Sequence, residues 1–185
     1  RGLGDVYKRQ VYTRYMDTEI EAKFPDVNVD SIRSILQEKG AHLAYPEVLM
    51  RRKNYDFPDK QLERKGGWVR VRDERNKITL SYKQLTDRTL HGTKEVSLTV
   101  DTFDTTCLFL EAIGMRPKAY QETKREKWLY KDVEVTIDTW PWIPSFVELE
   151  GPTEEKVRTV ASDLGFEWAR AMHGSVEPVY QMHYS

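Results

Sequence analysis

The stretch "TEIEAKF", residues 18–24, alternates charged and apolar side chains in the manner of a β-strand. One face carries Glu19, Glu21 and Lys23, while the other carries three apolar residues. Such a charged row belongs either to a solvated sheet face or to a charged site. The remaining strands of the chain discriminate between these two interpretations.

Composition restricts the class of protein. The 185 residues suit one domain, and a formal net charge of -1 argues against nucleic acid or a membrane surface as partner. The only cysteine, Cys107, cannot form an internal disulfide, which favours a reducing, cytoplasmic location. We predict a soluble monomer or homodimer with Cys107 as a buried packing residue.

The first ten residues, "RGLGDVYKRQ", lack the apolar core of a signal peptide and resemble a translated cloning-adaptor sequence. We therefore predict that residues 1–15 are a non-native or disordered leader. Residues 16–185 are expected to form a single domain.

Three stretches have the apolar spacing of amphipathic helices: "DVNVDSIRSILQEKGAHL", "FDTTCLFLEAIGM" and "TEEKVRTVASDLGF". Each ends near a glycine, namely Gly40, Gly114 and Gly165, which is typical of a helix C-terminus. Asp104 and Thr153 are the predicted N-caps of the second and third helices.

Seven further stretches alternate like the first strand: "VLMRRKNYDF", "GWVRVRDE", "KITLSYKQL", "TKEVSLTV", "QETKREKWLY", "VEVTIDTW" and "SFVELEG". Alternation alone favours an open antiparallel sheet with one solvated face. However, the polar faces hold Arg, Lys, Glu and Asp in rows of one sign. About eight antiparallel strands can also close into a barrel. The predicted fold is α+β: a closed eight-stranded antiparallel β-barrel with a charged lumen and the helices packed outside.

A charged lumen requires a charged ligand, because unpaired buried charges are very costly. The basic rows suit phosphate oxygens, and the acidic rows suit hard divalent cations. Their joint occurrence indicates a polyphosphate with bound Mg²⁺ or Mn²⁺.

Six stretches resemble, in the order in which they occur, the motifs of the CYTH superfamily, the triphosphate tunnel metalloenzymes. They are "EIEAK", "VRVRDE", "LSYKQ", "REKWLY", "VEVTIDTW" and "FVELEG". The resemblance implies a closed eight-stranded tunnel that binds a triphosphate-containing small molecule. It also implies roles for individual residues. The implied ligands of one or two divalent metals are Glu19, Glu21, Asp138, Glu148 and Glu150. The implied substrate-binding residues are Lys23, Arg52, Arg70, Arg72, Lys83, Arg125 and Lys127. The implied catalytic residues are Glu19, Glu21, Lys23 and Glu95.

The expected activity is metal-dependent hydrolysis of inorganic tripolyphosphate, a nucleoside triphosphate or thiamine triphosphate. Class IV adenylyl cyclases share the motif set, so synthesis of cyclic AMP from ATP is the alternative. A non-catalytic polyphosphate-binding module is a third possibility. Arg52, Ser97 and Thr123 depart from residues common in the family, which leaves open the number of metals and the group beyond the phosphates.

Overall fold

The computed structural model describes residues 16–184, which form one antiparallel sheet and four α-helices. The strands β1 to β9 are Asp17–Glu19, Glu21–Phe24, His42–Asp56, Gly67–Asp73, Ile78–Leu85, Thr93–Val100, Arg116–Tyr130, Val133–Thr139 and Phe146–Glu150. The helices α1 to α4 are Val29–Glu38, Phe103–Ala112, Glu154–Asp163 and Glu177–Tyr184. Short 3₁₀ turns occur at Glu63–Lys65 and Trp168–Arg170. The predicted leader, residues 1–15, lies outside the described residues.

The sheet curls into a nearly closed barrel. Its strand order is β1-β6-β5-β4-β3-β7-β8-β9-β2, so the two outermost strands are the two halves of the stretch "TEIEAKF". Glu19 in β1 lies opposite Thr93 in β6, whereas Glu21 in β2 lies opposite Glu150 in β9. Ile20 joins the halves, and its carbonyl accepts a hydrogen bond from the Gly151 N–H at 3.1 Å.

The predicted eight-stranded barrel is therefore confirmed, with one difference of detail. The first predicted strand is split at Ile20 because each half pairs with a different neighbour. This split accounts for the ninth strand.

The three predicted helices are present on the outer surface of the barrel. Leu36 of α1 and Val157 of α3 pack with Val135 and Leu149, which point outward from β8 and β9. Helix α2 contributes Cys107 to a second cluster, where this residue is buried as predicted. The apolar faces of the strands thus point outward, and the charged faces are left to the interior.

The residues predicted to cap the helices do so in the structure, with one exception. Gly40, Gly114 and Gly165 all have positive φ just after the helix C-caps, a conformation that glycine adopts readily. The Thr153 hydroxyl accepts a hydrogen bond from the Lys156 N–H, as expected for an N-cap. The exception is α2, whose N-cap is Thr102 and not Asp104, because the helix begins two residues earlier than predicted.

The C-terminal segment crosses one end of the barrel. Met172 and Lys23 exchange backbone hydrogen bonds of 2.8 Å, and α4 then packs Val179 against Trp140 and Phe146. Gly174 to Glu177 line the interior of the barrel, while the rest of α4 covers the loop before β9.

A buried carboxylate fastens α1 to the barrel. Glu126, on the outer face of β7, accepts hydrogen bonds from Arg33 Nη2 at 2.8 Å and from Trp128 Nε1 at 2.7 Å. Arg33 Nε adds a third contact at 3.0 Å, so the guanidinium binds side-on.

Replacing Glu126 by alanine is expected to lower the free energy of unfolding by about 1–3 kcal/mol, because the buried indole N–H of Trp128 and the partly exposed guanidinium of Arg33 lose their acceptor. The matched control is Glu122→Ala, which removes an exposed carboxylate from the same strand. Thermal unfolding of both variants measures the difference. Equal melting temperatures would show that Glu126 does not fasten α1.

None of the helices within residues 16–184 combines the length and apolar character needed to span a bilayer.

Candidate active site

The interior of the barrel is a cavity of about 760 Å³. Side chains from all the strands line it, together with the backbone of the C-terminal segment. The cavity walls are polar because the inward positions of successive strands hold the charged rows noted in the sequence.

Nearly all predicted site residues meet in this cavity. Those that line it are Glu19, Glu21, Lys23, Arg52, Arg70, Arg72, Lys83, Glu95, Arg125, Lys127, Glu148 and Glu150. Asp138 is fully buried behind the wall and is not among the lining residues. The twelve lining residues come from eight strands, so only the closed fold brings them together.

Lys83 holds two glutamates on one wall. Its ammonium lies 2.8 Å from Glu19 Oε2 and 3.5 Å from Glu95 Oε2, and Arg70 approaches Glu95 at 3.4 Å. Burial raises the pKa of Glu19, and a hydrogen bond shared with Glu95 raises it further despite the nearby Lys83. Burial acts in the same direction on Glu95, but the hydrogen bond with Glu19 and the two bases outweigh it and lower the pKa. Lys83 therefore links two glutamates whose pKa values are shifted in opposite directions.

Lys23 holds two other glutamates. Its ammonium lies 3.1 Å from Glu21 Oε1 and 3.0 Å from Glu148 Oε2, and it donates to the Gly174 carbonyl at 2.7 Å. Burial opposes the charge on Lys23, but Glu148 and Glu21 outweigh this effect and raise the pKa. Lys23 thus remains protonated and connects the carboxylate wall to the C-terminal segment.

Arg125 is oriented by Asp138. Its guanidinium binds the carboxylate of Asp138 side-on, at 2.7 and 2.9 Å, and also contacts Glu148 Oε1 at 3.2 Å. Thr136 Oγ1 donates to Asp138 at 2.8 Å. Both oxygens of Asp138 are therefore occupied, so a metal could bind there only if Arg125 moved away. The predicted metal-ligand role of Asp138 stays a prediction, and the geometry favours a positioning role.

Arg52 is the one cationic side chain of the cavity wall in residues 16–184 with no carboxylate within 4.0 Å. It donates to Thr123 Oγ1 at 2.8 Å and stacks on Trp140, 4.6 Å from the ring centroid. Its Nε is buried without a hydrogen-bond partner. Burial, followed by the neighbouring guanidinium groups, lowers the pKa of Arg52 well below its usual range.

Two further arginines extend this basic surface. Arg72 lies directly opposite Arg52 in the β3–β4 pairing, and Arg70 lies two residues along the same strand. The Nε atoms of Arg70 and Arg72 are also buried and unpartnered. Burial and then Arg72 lower the pKa of Arg70 to about 10. The three guanidinium groups repel one another, and each has an Nε without a hydrogen-bond partner, which is a deficit that an anion with several charges would satisfy.

The glutamates have the donor chemistry of a divalent-cation site. Glu21 and Glu150 lie directly opposite each other, and Glu150 lies beside Glu134 in the next pairing. Burial raises the pKa of Glu150, and the charges of Glu148 and Glu21 raise it further. This surplus of negative charge is what a hard cation would neutralise.

The lysines, however, lie between these carboxylates. No group of three or more acidic, histidine or cysteine side chains in residues 16–184 is already arranged to hold a metal ion. Lys23 and Lys83 occupy the positions between the glutamates. The donor set therefore fits a divalent cation, and binding would require the lysines to exchange their carboxylate partners for phosphate oxygens.

Sequence reasoning did not assign several lining residues to the site. These are Tyr45, Asn54, Trp68, Glu74, Lys77, Thr79, Thr93, Gln121, Glu134 and the C-terminal residues Gly174, Ser175, Val176 and Glu177. Strand parity was a usable signal for Asn54 and Gln121, which share faces with Arg52 and Arg125. No comparable signal exists for the C-terminal segment, because its placement depends on tertiary contacts.

The comparison with protein families gives one match. Residues 17–170 match the model of the CYTH domain. No curated protein sequence matches the chain.

Solved structures of similar fold are distant in sequence. A candidate adenylate cyclase from Vibrio parahaemolyticus has a TM-score of 0.77 and 15% identity, covering 90% of this chain and 99% of that one. A conserved hypothetical protein from Pyrococcus furiosus has a TM-score of 0.69 and 19% identity, with coverages of 83% and 94%. A candidate adenylyl cyclase from Hippeastrum with a dominant triphosphatase activity has a TM-score of 0.60 and 12% identity, with coverages of 89% and 96%. Cyclase and triphosphatase are the two activities predicted from the sequence.

Proposed function

Because this chain belongs to the CYTH domain family, we propose that it hydrolyses a phosphoanhydride bond of a triphosphate bound in the barrel cavity, with Mg²⁺ or Mn²⁺ as cofactor. The observation that carries this proposal is the joint presence, in one cavity, of arginines with unpartnered Nε donors and of glutamates on the facing strands. A site for a simple anion would not need the glutamates, and a site for a cation alone would not need the arginines.

The bases bind and orient the substrate. Arg52, Arg70 and Arg72 supply unpartnered donors to phosphate oxygens, and this neutralises the charge that collects on the phosphates during transfer. Arg125 is held in place by Asp138, so its guanidinium is oriented before the substrate arrives. Lys23 and Lys83 would be available to phosphate oxygens if the glutamates that they now contact held a cation.

The acids would hold the cofactor. Glu19, Glu21, Glu148 and Glu150 provide carboxylate oxygens for one or two divalent ions. When bound, such an ion would supply charge neutralisation and polarisation of the phosphorus under attack.

Glu95 acts next to this set. It accepts contacts from Arg70 and Lys83. We infer that Glu95 orients both bases toward the phosphates.

Known activities in the same fold support hydrolysis. The Hippeastrum protein has a dominant triphosphatase activity although it is a candidate cyclase. A cyclase would use the same residues, but a ribose hydroxyl would attack the α-phosphate. The reaction products therefore distinguish a cyclase from a triphosphatase. The single cysteine, which is buried, supports a cytoplasmic location for the activity.

The test is a substrate screen with tripolyphosphate, ATP and thiamine triphosphate in Mg²⁺, Mn²⁺ or EDTA. We expect phosphate release that depends on the divalent ion, while binding of tripolyphosphate persists in EDTA because the arginines remain. Pyrophosphate with cyclic AMP would identify a cyclase. Binding without any turnover would identify a non-catalytic module, and the absence of both binding and turnover would overturn the proposal.

A further inference from the structure

The two ends of the cavity differ in chemistry. At one end of the barrel, strand β3 ends and strands β4 and β7 begin. The residues that line the cavity at this end include Asn54, Trp68 and Gln121. β8 begins and β9 ends at the other, where Glu134 and Glu150 lie opposite each other. We refer to the first as the amide end and to the second as the acidic end.

A pair of carboxamides marks the amide end. Asn54 Nδ2 donates to Gln121 Oε1 at 3.3 Å, which fixes the two side chains relative to each other. Asn54 Oδ1 is buried and has no hydrogen-bond partner within the protein. A buried acceptor without a partner is costly, so this atom indicates a donor supplied by a ligand.

Flat apolar surface lies beside these amides. Trp68 is half-buried in the cavity wall, two residues before Arg70, which is the cross-strand neighbour of Asn54. Trp140 also lines the cavity, and its Nε1 is a second buried polar atom without a partner. Indole faces bind planar rings, while a carboxamide offers a donor next to an acceptor.

The ligand group that matches these features is planar and carries an amine beside a ring nitrogen. Carboxamides bind such an edge through two hydrogen bonds, as Asn and Gln do with adenine. Adenine and cytosine share this edge, whereas hypoxanthine replaces the amine with a carbonyl. Neither tripolyphosphate nor any other purely inorganic chain supplies such a donor.

We propose that Asn54 and Gln121 recognise the amino-bearing base of a nucleoside triphosphate, which deepens the proposed function and rests on it. The base occupies the amide end, and the triphosphate extends along Arg70, Arg72 and Arg52 toward the acidic end. The terminal phosphate is then nearest the glutamates. Water forms a bond to the terminal phosphorus, the bond from that phosphorus to the bridging oxygen breaks, and the products are a nucleoside diphosphate, phosphate and a proton.

The test compares wild type with Asn54→Leu, which keeps the approximate size of the side chain and removes its hydrogen-bonding groups. Asn76→Leu, in the exposed turn between β4 and β5, is the matched control. Steady-state hydrolysis of ATP, CTP, ITP and tripolyphosphate is measured with Mg²⁺. Binding of the same compounds is measured in EDTA by tryptophan fluorescence, which does not depend on turnover.

We expect the wild type to prefer ATP or CTP over ITP, with release of the nucleoside diphosphate. In Asn54→Leu, kcat/KM for the preferred nucleotide should fall by about 10- to 100-fold relative to that for tripolyphosphate. Discrimination against ITP should be lost, and Asn76→Leu should behave as wild type.

Equal use of ATP, CTP and ITP by the wild type, or an equal loss for nucleotide and tripolyphosphate in Asn54→Leu, would overturn the inference. Hydrolysis of tripolyphosphate alone would overturn it and leave the proposed function intact. If no triphosphate is hydrolysed, the proposed function fails, and the binding preference in EDTA still decides the role of Asn54.

Discussion

Replacement of Glu148 by glutamine is expected to reduce metal-dependent triphosphate hydrolysis by at least about 100-fold. Glu148 is the carboxylate that contacts both Lys23 and Arg125, at 3.0 and 3.2 Å. Burial would raise its pKa, but Lys23 and Arg125 outweigh burial and lower it. The charge on Glu148 is therefore retained, and the neutral amide would remove a proposed cation ligand together with the carboxylate that contacts Lys23 and Arg125.

The measurement is kcat with saturating Mg²⁺, accompanied by thermal unfolding in EDTA to show that the variant is folded. Glu155→Gln, an exposed change in the first turn of α3, is the control and should retain full activity. Wild-type turnover in folded Glu148→Gln would remove this residue from the active site.

Replacement of Arg52 by methionine is expected to have opposite effects on stability and binding. The variant should melt about 2–4 °C higher than wild type without ligand, because a buried cation without an acidic partner is removed. It should bind tripolyphosphate at least 10-fold more weakly in EDTA, because a charge-assisted contact to phosphate is lost. The loss of the contacts with Thr123 and Trp140 keeps the expected gain in stability small.

The neighbouring residue supplies the control. Arg51 points outward from the same strand, where it pairs with Asp73 at 3.1 Å and stacks over Phe103. Arg51→Met should leave tripolyphosphate binding unchanged and slightly lower the melting temperature. If both variants lost affinity equally, net charge and not the inward position of Arg52 would explain the effect.

The fold could be predicted because strand alternation is a local property. Each predicted strand has a charged and an apolar face, and the helices between them have the apolar face needed to cover the outer wall. The division of the first strand at Ile20 could not be predicted, since it depends on which neighbours the two halves find across the barrel.

The residues that face the cavity could be predicted, but their contacts with one another could not. Strand parity identified Arg52, Lys83 and Glu148 as inward-facing residues. It did not show that lysines separate the glutamates, or that Asp138 lies behind Arg125. Such pairings depend on rotamers and on the stagger between strands, neither of which is encoded in a short motif.

The division of the first predicted strand at Ile20 also has a consequence for folding during synthesis on the ribosome. Glu19 is paired with Thr93, about halfway along the chain, whereas Glu21 is paired with Glu150, near its end. Until β9 is made, β2 has no neighbouring strand, and its unpaired edge needs protection from aggregation. The barrel thus closes, and its glutamates come together, only late in synthesis. A nascent chain that lacks β9 should therefore not bind a triphosphate.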